Sequence, residues 1–186
     1  MKKGYILLEG IISLSIIVII SICLCQVIAT LGDAKENIEA RVELSQQLQE
    51  IDYQIKSLVE EATDIINITT RDKIVVDNLE YGRLYNVTSI KLNLKIDVNK
   101  SDASLKNKEI SLKTDKNKLF INNLNNYNSS ESGGYEIGDY VEKIYLKRDN
   151  PKLISIVFHL KKDNVTLKEE MKLYIRYDST ALNKEY

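Results

Sequence analysis

The sequence is short of the residues on which most enzymes and most disulfide-bonded domains depend. Its 186 residues include one His, two Cys, one Pro and no Trp. Both cysteines, Cys23 and Cys25, fall inside a long apolar run, so the remainder of the chain has no disulfide to hold it. The one histidine, His159, alternates with Phe158 and Leu160 in a strand pattern, where a lone histidine is more often structural than catalytic. The sequence therefore predicts no enzyme, no zinc site and no cofactor.

Strong net charge of either sign is also absent. Lys and Arg number 26 against 27 Asp and Glu, so the chain as a whole has no strong field toward nucleic acid or a membrane surface. Residues 33–64 are acidic, and residues 65–186 are mildly basic. In the last part of the chain acids are interleaved with bases and stacking aromatics are lacking, so we interpret this part as a solvated strand face and disfavour a nucleic-acid partner. Its basic residues are Lys143, Lys147, Arg148, Lys152, Lys161, Lys162, Lys168 and Lys172.

A long apolar run near the amino terminus is the clearest feature that is present. Between residues 5 and 31 only Glu9 and Gln26 are strongly polar. As a helix this stretch is about 40 Å long, which covers a hydrocarbon core of about 30 Å. It continues well beyond the length of a signal peptide's apolar core, which is shorter and ends in a small-residue cleavage site. Lys2 and Lys3 precede it, which predicts a single-pass protein of the cytoplasmic membrane with an extracytoplasmic carboxyl-terminal head.

Glu9 is the one acid inside this run and needs an explanation. A carboxylate near hydrocarbon costs a few kcal/mol, so an ionisable group at that position is by default a functional hypothesis with a partner to be named. The alternative is an ordinary acid that lies within about one turn of the membrane interface and extends its side chain to water.

The residues around Glu9 carry a family resemblance. The basic Lys2 and Lys3, then Gly4, Tyr5, three aliphatic residues and Glu9 resemble the class III leader of type IV prepilins and pseudopilins. The resemblance implies a leader of residues 1–4, cleavage between Gly4 and Tyr5 by a prepilin peptidase, and N-methylation of Tyr5. It also implies that Glu9 pairs with the Tyr5 amine of a neighbouring subunit when the helices assemble into a filament.

Two departures from the family pattern favour a minor subunit. Tyr5 stands where the family usually has Phe, and Gln26 stands where many major pilins have a helix-kinking Pro. Residues 44–62 resemble the stalk of the larger minor pseudopilins, the J-type. The resemblance thus implies a structural subunit of a type IV pilus or of a secretion or competence pseudopilus, at the cell surface after assembly. It leaves open whether the filament serves adhesion, motility, DNA uptake or secretion.

The partners follow from the same resemblance. They are other pilin or pseudopilin subunits, the prepilin peptidase, a membrane assembly platform, and the lipid bilayer before assembly. The alternative function belongs to a different class: a single-pass, membrane-anchored extracytoplasmic sensor or binding module. Such a protein keeps residues 1–4.

An amphipathic helical stalk is predicted over residues 32–69. No Gly occurs between Gly32 and Gly82 and no Pro occurs before Pro151, so nothing local ends the membrane helix at the bilayer surface. A coiled-coil dimer is one interpretation of its apolar stripe, but the heptad pattern lasts under three heptads, so packing against the protein's own sheet is preferred. The stripe consists of Ile38, Val42, Leu48, Ile51, Ile55, Leu58, Ala62 and Ile65.

A β-rich head is predicted over residues 70–186, because the apolar period changes there from helical to alternating. Strands are predicted at 74–76, 90–98, 109–112, 119–122, 140–146, 153–160 and 167–177, with the last three as an antiparallel meander. Residues 122–138 are predicted as a loop that forms a contact surface. The fold class is α+β and pilin-like, a long helix packed on an antiparallel sheet.

A calcium loop is the only metal motif that the sequence suggests. Asp97, Asn99, Ser101 and Glu109 have calcium-ligand chemistry, but Asp102 stands at the sixth position in place of Gly and Lys108 at the twelfth in place of Glu. No metal site is therefore predicted.

Overall fold

A computed structural model describes residues 3–94 and 107–175 of the protein. Within these ranges it has one α-helix, α1 (Lys3–Glu61), and nine β-strands. The strands are β1 (Ala62–Thr70), β2 (Val75–Val76), β3 (Leu84–Leu94), β4 (Lys108–Lys113), β5 (Lys118–Asn123), β6 (Tyr135–Gly138), β7 (Val141–Asn150), β8 (Leu153–Lys162) and β9 (Val165–Tyr174). The chain divides into two compact units, Met1–Ala40 and Arg41–Tyr186.

The first unit is the amino-terminal part of α1. Its side chains from Ile11 to Leu31 are exposed, and the mean hydropathy of its most apolar window is 2.8. Among the described residues this is the one helix that is long and apolar enough to span a membrane. The predicted apolar helix is therefore confirmed, and a β-domain follows it.

The second unit begins with the last part of α1, which packs on the sheet. Leu44, Leu48, Ile51, Ile55 and Leu58 are buried in one core with residues from the sheet. The expectation that the helix covers the protein's own sheet is confirmed. The predicted stripe was wrong at its start, because Ile38 and Val42 are exposed.

The helix ends at Glu61, and not at residue 69 as the sequence predicted. Ala62 and Ile65, assigned to the helical stripe, belong to β1 and pair with Leu94 and Leu92 of β3. Two of the three register shifts in this pairing, at Ala62/Asp64 and Ile65/Asn67, make every third residue of β1 buried. A spacing of three resembles a helical face, which is why the sequence pattern did not reveal the strand.

All strand pairs in the sheet are antiparallel, as predicted. The order is β6-β5-β4-β3-β7-β8-β9, while β1 pairs with β3 and β2 with β1, and the sheet is curled. The meander of β7, β8 and β9 is confirmed, and its second turn has Asp163 at a φ of 51°. Parts of two predicted strands, 95–98 and 176–177, lie outside the described residues, as do Asp97, Asn99 and Ser101 of the calcium motif.

The predicted loop 122–138 is only partly a loop. Residues Tyr135–Gly138 form β6, which pairs with β5 at the edge of the sheet. Ile137 is the buried residue of β6 that belongs to the core, and a single apolar position gives too little alternation to signal a strand.

Candidate functional site

The residues of the predicted processing site lie in the first turns of α1. Gly4 and Tyr5 are helical, and Glu9 follows Tyr5 by four positions, so the two residues lie on the same face about 6 Å apart along the axis. The Glu9 side chain is exposed, and no atom lies within 4 Å of the point where a Cβ on Gly10 would be. The Glu9 carboxylate is therefore accessible to a second helix.

Three hydroxyls of the apolar segment find partners within the helix. The hydroxyls of Ser15 and Ser21 each donate a hydrogen bond of 2.8 Å to the carbonyl four residues earlier, and Thr30 donates to Gln26 O at 3.0 Å. Such bonds let hydroxyls enter hydrocarbon without an unsatisfied donor. Glu9 differs, because a carboxylate has no donor of its own helix to satisfy it.

In the second unit, the helix is held to the sheet by a polar cluster around Glu43. The Tyr140 hydroxyl donates a hydrogen bond of 2.8 Å to Glu43 Oε1, and the Lys162 ammonium donates to Glu43 Oε2. The hydrogen bond from Lys162, and then that from Tyr140, lowers the pKa of Glu43. The same Glu43 raises the pKa of Lys162 and of Tyr140. This cluster ties one end of the buried helical segment to β8 and to the turn between β6 and β7.

The turn between β6 and β7 fits against the same helix. The Asp139 N–H donates a hydrogen bond of 3.0 Å to Gln47 Oε1. A Cβ on Gly138 would lie 2.5 Å from Cδ1 of the buried Ile51, a distance shorter than real carbon contacts. Only Gly therefore fits at position 138 without a shift of the Ile51 side chain, the helix or the turn.

Glu109 is a buried carboxylate, although the sequence suggested it only as part of a calcium motif. It is 7% exposed, and Ser89 Oγ donates to it at 2.5 Å, Asn122 Nδ2 at 3.2 Å, and Ser130 Oγ also donates to it. Three neutral donors thus satisfy the carboxylate. Because Ser130 comes from the segment 124–130, Glu109 fastens that segment to the sheet.

The segment 124–130 is further ordered by its own contacts. The Asn125 side-chain oxygen accepts hydrogen bonds from the N–H groups of Tyr127 and Ser129, and Lys91 Nζ donates to Asn128 O at 2.8 Å. Tyr127 is 89% exposed at its tip. The predicted contact surface is therefore an ordered protrusion with an exposed tyrosine.

An open groove of about 390 Å³ lies between α1 and β9. Leu48, Leu167 and Met171 line it together with three carboxylates, Asp52, Glu169 and Glu170. Among the residues that the structure describes, no group of three or more His, Cys, Asp or Glu side chains is placed to hold a metal ion. The groove therefore offers carboxylate acceptors beside apolar side chains.

The basic residues of the last strands lie on two different faces of the sheet. Arg148 donates to Asp64 at 3.1 Å and to the Pro151 carbonyl at 3.0 Å, and only 13% of its side chain is exposed. Lys162 is bound to Glu43. These two cations join elements of the fold to one another. The lysines on the opposite face of the sheet are Lys143, Lys147, Lys161, Lys168 and Lys172.

The fold and these contacts define an α+β protein in which a long apolar amino-terminal helix is followed by an antiparallel curled sheet. Comparisons of the chain with protein-family models, with curated proteins and with solved structures find no match. The function is therefore argued from the chain's own residues.

Proposed function

We propose that this protein is a structural minor pilin or pseudopilin subunit. It is made as a membrane-inserted precursor, cut between Gly4 and Tyr5 by a prepilin peptidase, and methylated on the Tyr5 amine. It then assembles through its amino-terminal helix into a type IV pilus or a secretion or competence pseudopilus.

The observation that carries this proposal is the continuity of α1 from Lys3 to Glu61. The helix contains both the apolar segment and the residues that are buried in the core of the β-domain. A long helix that is apolar at its start and amphipathic where it covers a sheet is the layout that the prepilin resemblance implies.

Glu9 gives this assembly its register. After cleavage it is the fifth residue of the mature helix, and side chains of a helix point toward its amino terminus, so its carboxylate lies near the new amine and the positive end of the helix dipole. Beside the Tyr5 amine of a neighbouring subunit, each charge offsets the desolvation of the other. A stagger that separates them leaves both uncompensated.

In this proposal the β-domain provides binding surfaces and carries out no reaction. Its polar contacts, around Glu43 and Glu109, join elements of the fold to one another. The ordered protrusion 124–130 and the outer face of the sheet remain available for other subunits or ligands.

The test is the mass of the mature amino terminus, measured in cells with and without the prepilin peptidase. We expect a chain that begins at methylated Tyr5 only when the peptidase is present. Gly4→Val blocks the cut, whereas the matched Gly10→Val, at a glycine with open space around it, leaves it unchanged. A wild-type chain that still begins at Met1 would contradict the proposal and favour a membrane-anchored sensor or binding module.

A further inference from the structure

Five lysines share the outer face of β7, β8 and β9, the face opposite the core. Because Ile144, Phe158 and other alternate residues are buried, the intervening positions point outward. Cross-strand pairing aligns these positions in rows. One row is Lys143, His159 and Lys168, and another is Lys147, Ser155 and Lys172, while Lys161 extends the face beside Thr166.

Positive charge on this face exceeds negative charge. Three acids lie on or beside this face, Asp149, Glu170 and Glu142, and Asp149 is already bound by Lys147 at 2.7 Å and by Ser155 at 2.6 Å. Lys143 pairs with the part-exposed Glu142 at 3.9 Å, whereas Lys168 makes no ion pair among the described residues. The five lysines therefore outnumber the acids, and the row through His159 has one lysine without a bound carboxylate.

Aromatic rings are interleaved with these lysines. The Tyr145 ring lies 5.2 Å from the His159 ring at an interplanar angle of 55°, between Lys143 and Lys147 on β7. Tyr174, paired with Leu153 at the edge strand, is 68% exposed. The sequence alone spreads these aromatics over three segments, whereas the register places them on one face.

Lysine rows with stacking rings are the two features by which proteins hold single strands without reading their sequence. We propose that the outer face of β7, β8 and β9 binds single-stranded nucleic acid, with phosphates on the Lys143–His159–Lys168 row and a base stacked on Tyr174. This inference does not rest on the proposed filament. It revises the interpretation of the basic strands as a merely solvated face.

Binding is expected to be weak and to depend strongly on salt. With about three phosphates neutralised, the slope of log affinity against log salt for a single strand is about −2, so affinity falls about 20-fold between 50 and 200 mM salt. His159 adds a dependence on pH. Its pKa is lowered by burial and by Lys168 and Lys143, against a smaller opposite effect of Glu142, while Tyr145 and Lys161 also face it.

The experiment uses the full chain in non-ionic detergent and a fluorescein-labelled (dT)20 strand, followed by fluorescence anisotropy at 50 and 200 mM salt. We expect Lys143→Ala/Lys168→Ala to weaken binding at least 5-fold, because two of about three phosphate contacts are lost. Lys56→Ala/Lys116→Ala removes the same charge from exposed positions elsewhere and is expected to leave binding within 2-fold. Tyr174→Ala is expected to weaken it about 5-fold or more. Unfolding midpoints confirm that each variant is folded.

A second readout follows from His159 being the only histidine. Its imidazole signal in an NMR pH titration reports one group, and we expect its pKa to rise when (dT)20 is added, with tighter binding at pH 5.5 than at pH 7.5. Equal loss of binding in the two double variants would overturn the proposal. So would an unchanged His159 titration, or inorganic polyphosphate that binds as tightly as (dT)20 with no effect of Tyr174→Ala, since this indicates a face for any polyanion.

Discussion

The Tyr140 hydroxyl donates a hydrogen bond of 2.8 Å to the Glu43 carboxylate across 97 positions of the sequence. Tyr140 has a φ of 63°, in the left-handed region that a bulky residue rarely adopts, and it lies in the turn between β6 and β7, directly before β7. Strain of this kind persists where surrounding contacts fix it. Here Glu43 and the helix provide those contacts, so the conformation of the turn is fixed by its packing on the helix.

The first prediction concerns the pH dependence of this arrangement. Lys162 and Tyr140 lower the pKa of Glu43 from its ordinary value of 4.5. A carboxylate with a lower pKa in the folded state stabilises fully above about pH 4.5, and its contribution is lost as pH falls through the folded pKa. We expect Glu43→Gln to lower the unfolding midpoint at pH 7, and the difference from wild type to shrink toward pH 3.

Thermal unfolding followed by circular dichroism at pH 7, 5 and 3 measures this effect. Glu60→Gln, at an exposed position of the same helix, is the matched control and is expected to leave the midpoint nearly unchanged at every pH. A Glu43→Gln deficit that stays constant from pH 7 to pH 3 would show that its charge is not the stabilising element.

The second prediction concerns the close approach of Gly138 to Ile51. Gly138→Ala places a Cβ 2.5 Å from Ile51 Cδ1, and Ile51 is fully buried, so the Ile51 side chain, the helix or the turn must shift. We expect a loss of about 1–3 kcal/mol in the free energy of unfolding, which is typical of overpacking. Urea denaturation of the full chain in detergent measures it.

A double-mutant cycle tests the cause of that loss. Ile51→Ala removes both crowded atoms, Cγ1 and Cδ1, and by itself costs about 2–5 kcal/mol. We expect the double variant to lose less free energy of unfolding than the sum of the losses in the two single variants, because the contact that causes the strain is gone. Additive losses would place the strain elsewhere.

The sequence predicted the elements whose apolar spacing is regular. The helical stripe at Leu48, Ile51 and Ile55, and the alternation in β7, β8 and β9, each follow one period over several residues, and the structure confirms both. The register of β7, β8 and β9 could not be predicted in the same way. The register places Lys143, His159 and Lys168 in one row. It depends on how the strands pair, which the composition does not reveal.

The features that the sequence missed depend on contacts between distant segments. In β1, two bulges turn the usual period of two into a period of three, which reads as a continued helix. Glu109 occupies the polar side of an alternating strand, a position that predicts exposure. It is buried because the segment carrying Ser130 covers it, 21 positions later. Neither the bulges of β1 nor the burial of Glu109 can be recognised from the neighbouring residues in the sequence.

The third prediction concerns this buried Glu109. In Glu109→Ala the hydroxyls of Ser89 and Ser130 and the Asn122 amide lose their acceptor, so we expect the free energy of unfolding to fall by about 1–3 kcal/mol. The segment 124–130 is then less firmly held, and chymotrypsin is expected to cut faster after the exposed Tyr127. Proteolysis under native conditions, with the products identified by mass, measures the rate.

Glu136→Ala is the control for Glu109. Glu136 pairs with Lys118 at 2.8 Å at the edge of the same sheet, where about 40% of its side chain is exposed. Its loss is expected to change the cleavage rate after Tyr127 by less than 2-fold, because an exposed ion pair stabilises little. Faster cleavage in both variants would mean that general loss of stability, and not release of the segment, opens Tyr127.

The last prediction concerns Glu9 in the proposed filament. Cleavage precedes assembly, so Glu9→Ala is expected to leave a mature amino terminus at Tyr5 while the protein accumulates in the membrane fraction and is lost from sheared filaments. Gln26→Ala, which changes a neutral polar residue of the same apolar helix, is expected to leave the distribution unchanged. Immunoblots of the two fractions measure it. Normal incorporation of Glu9→Ala would show that the carboxylate does not set the register, because an alanine cannot compensate a neighbouring amine at low dielectric.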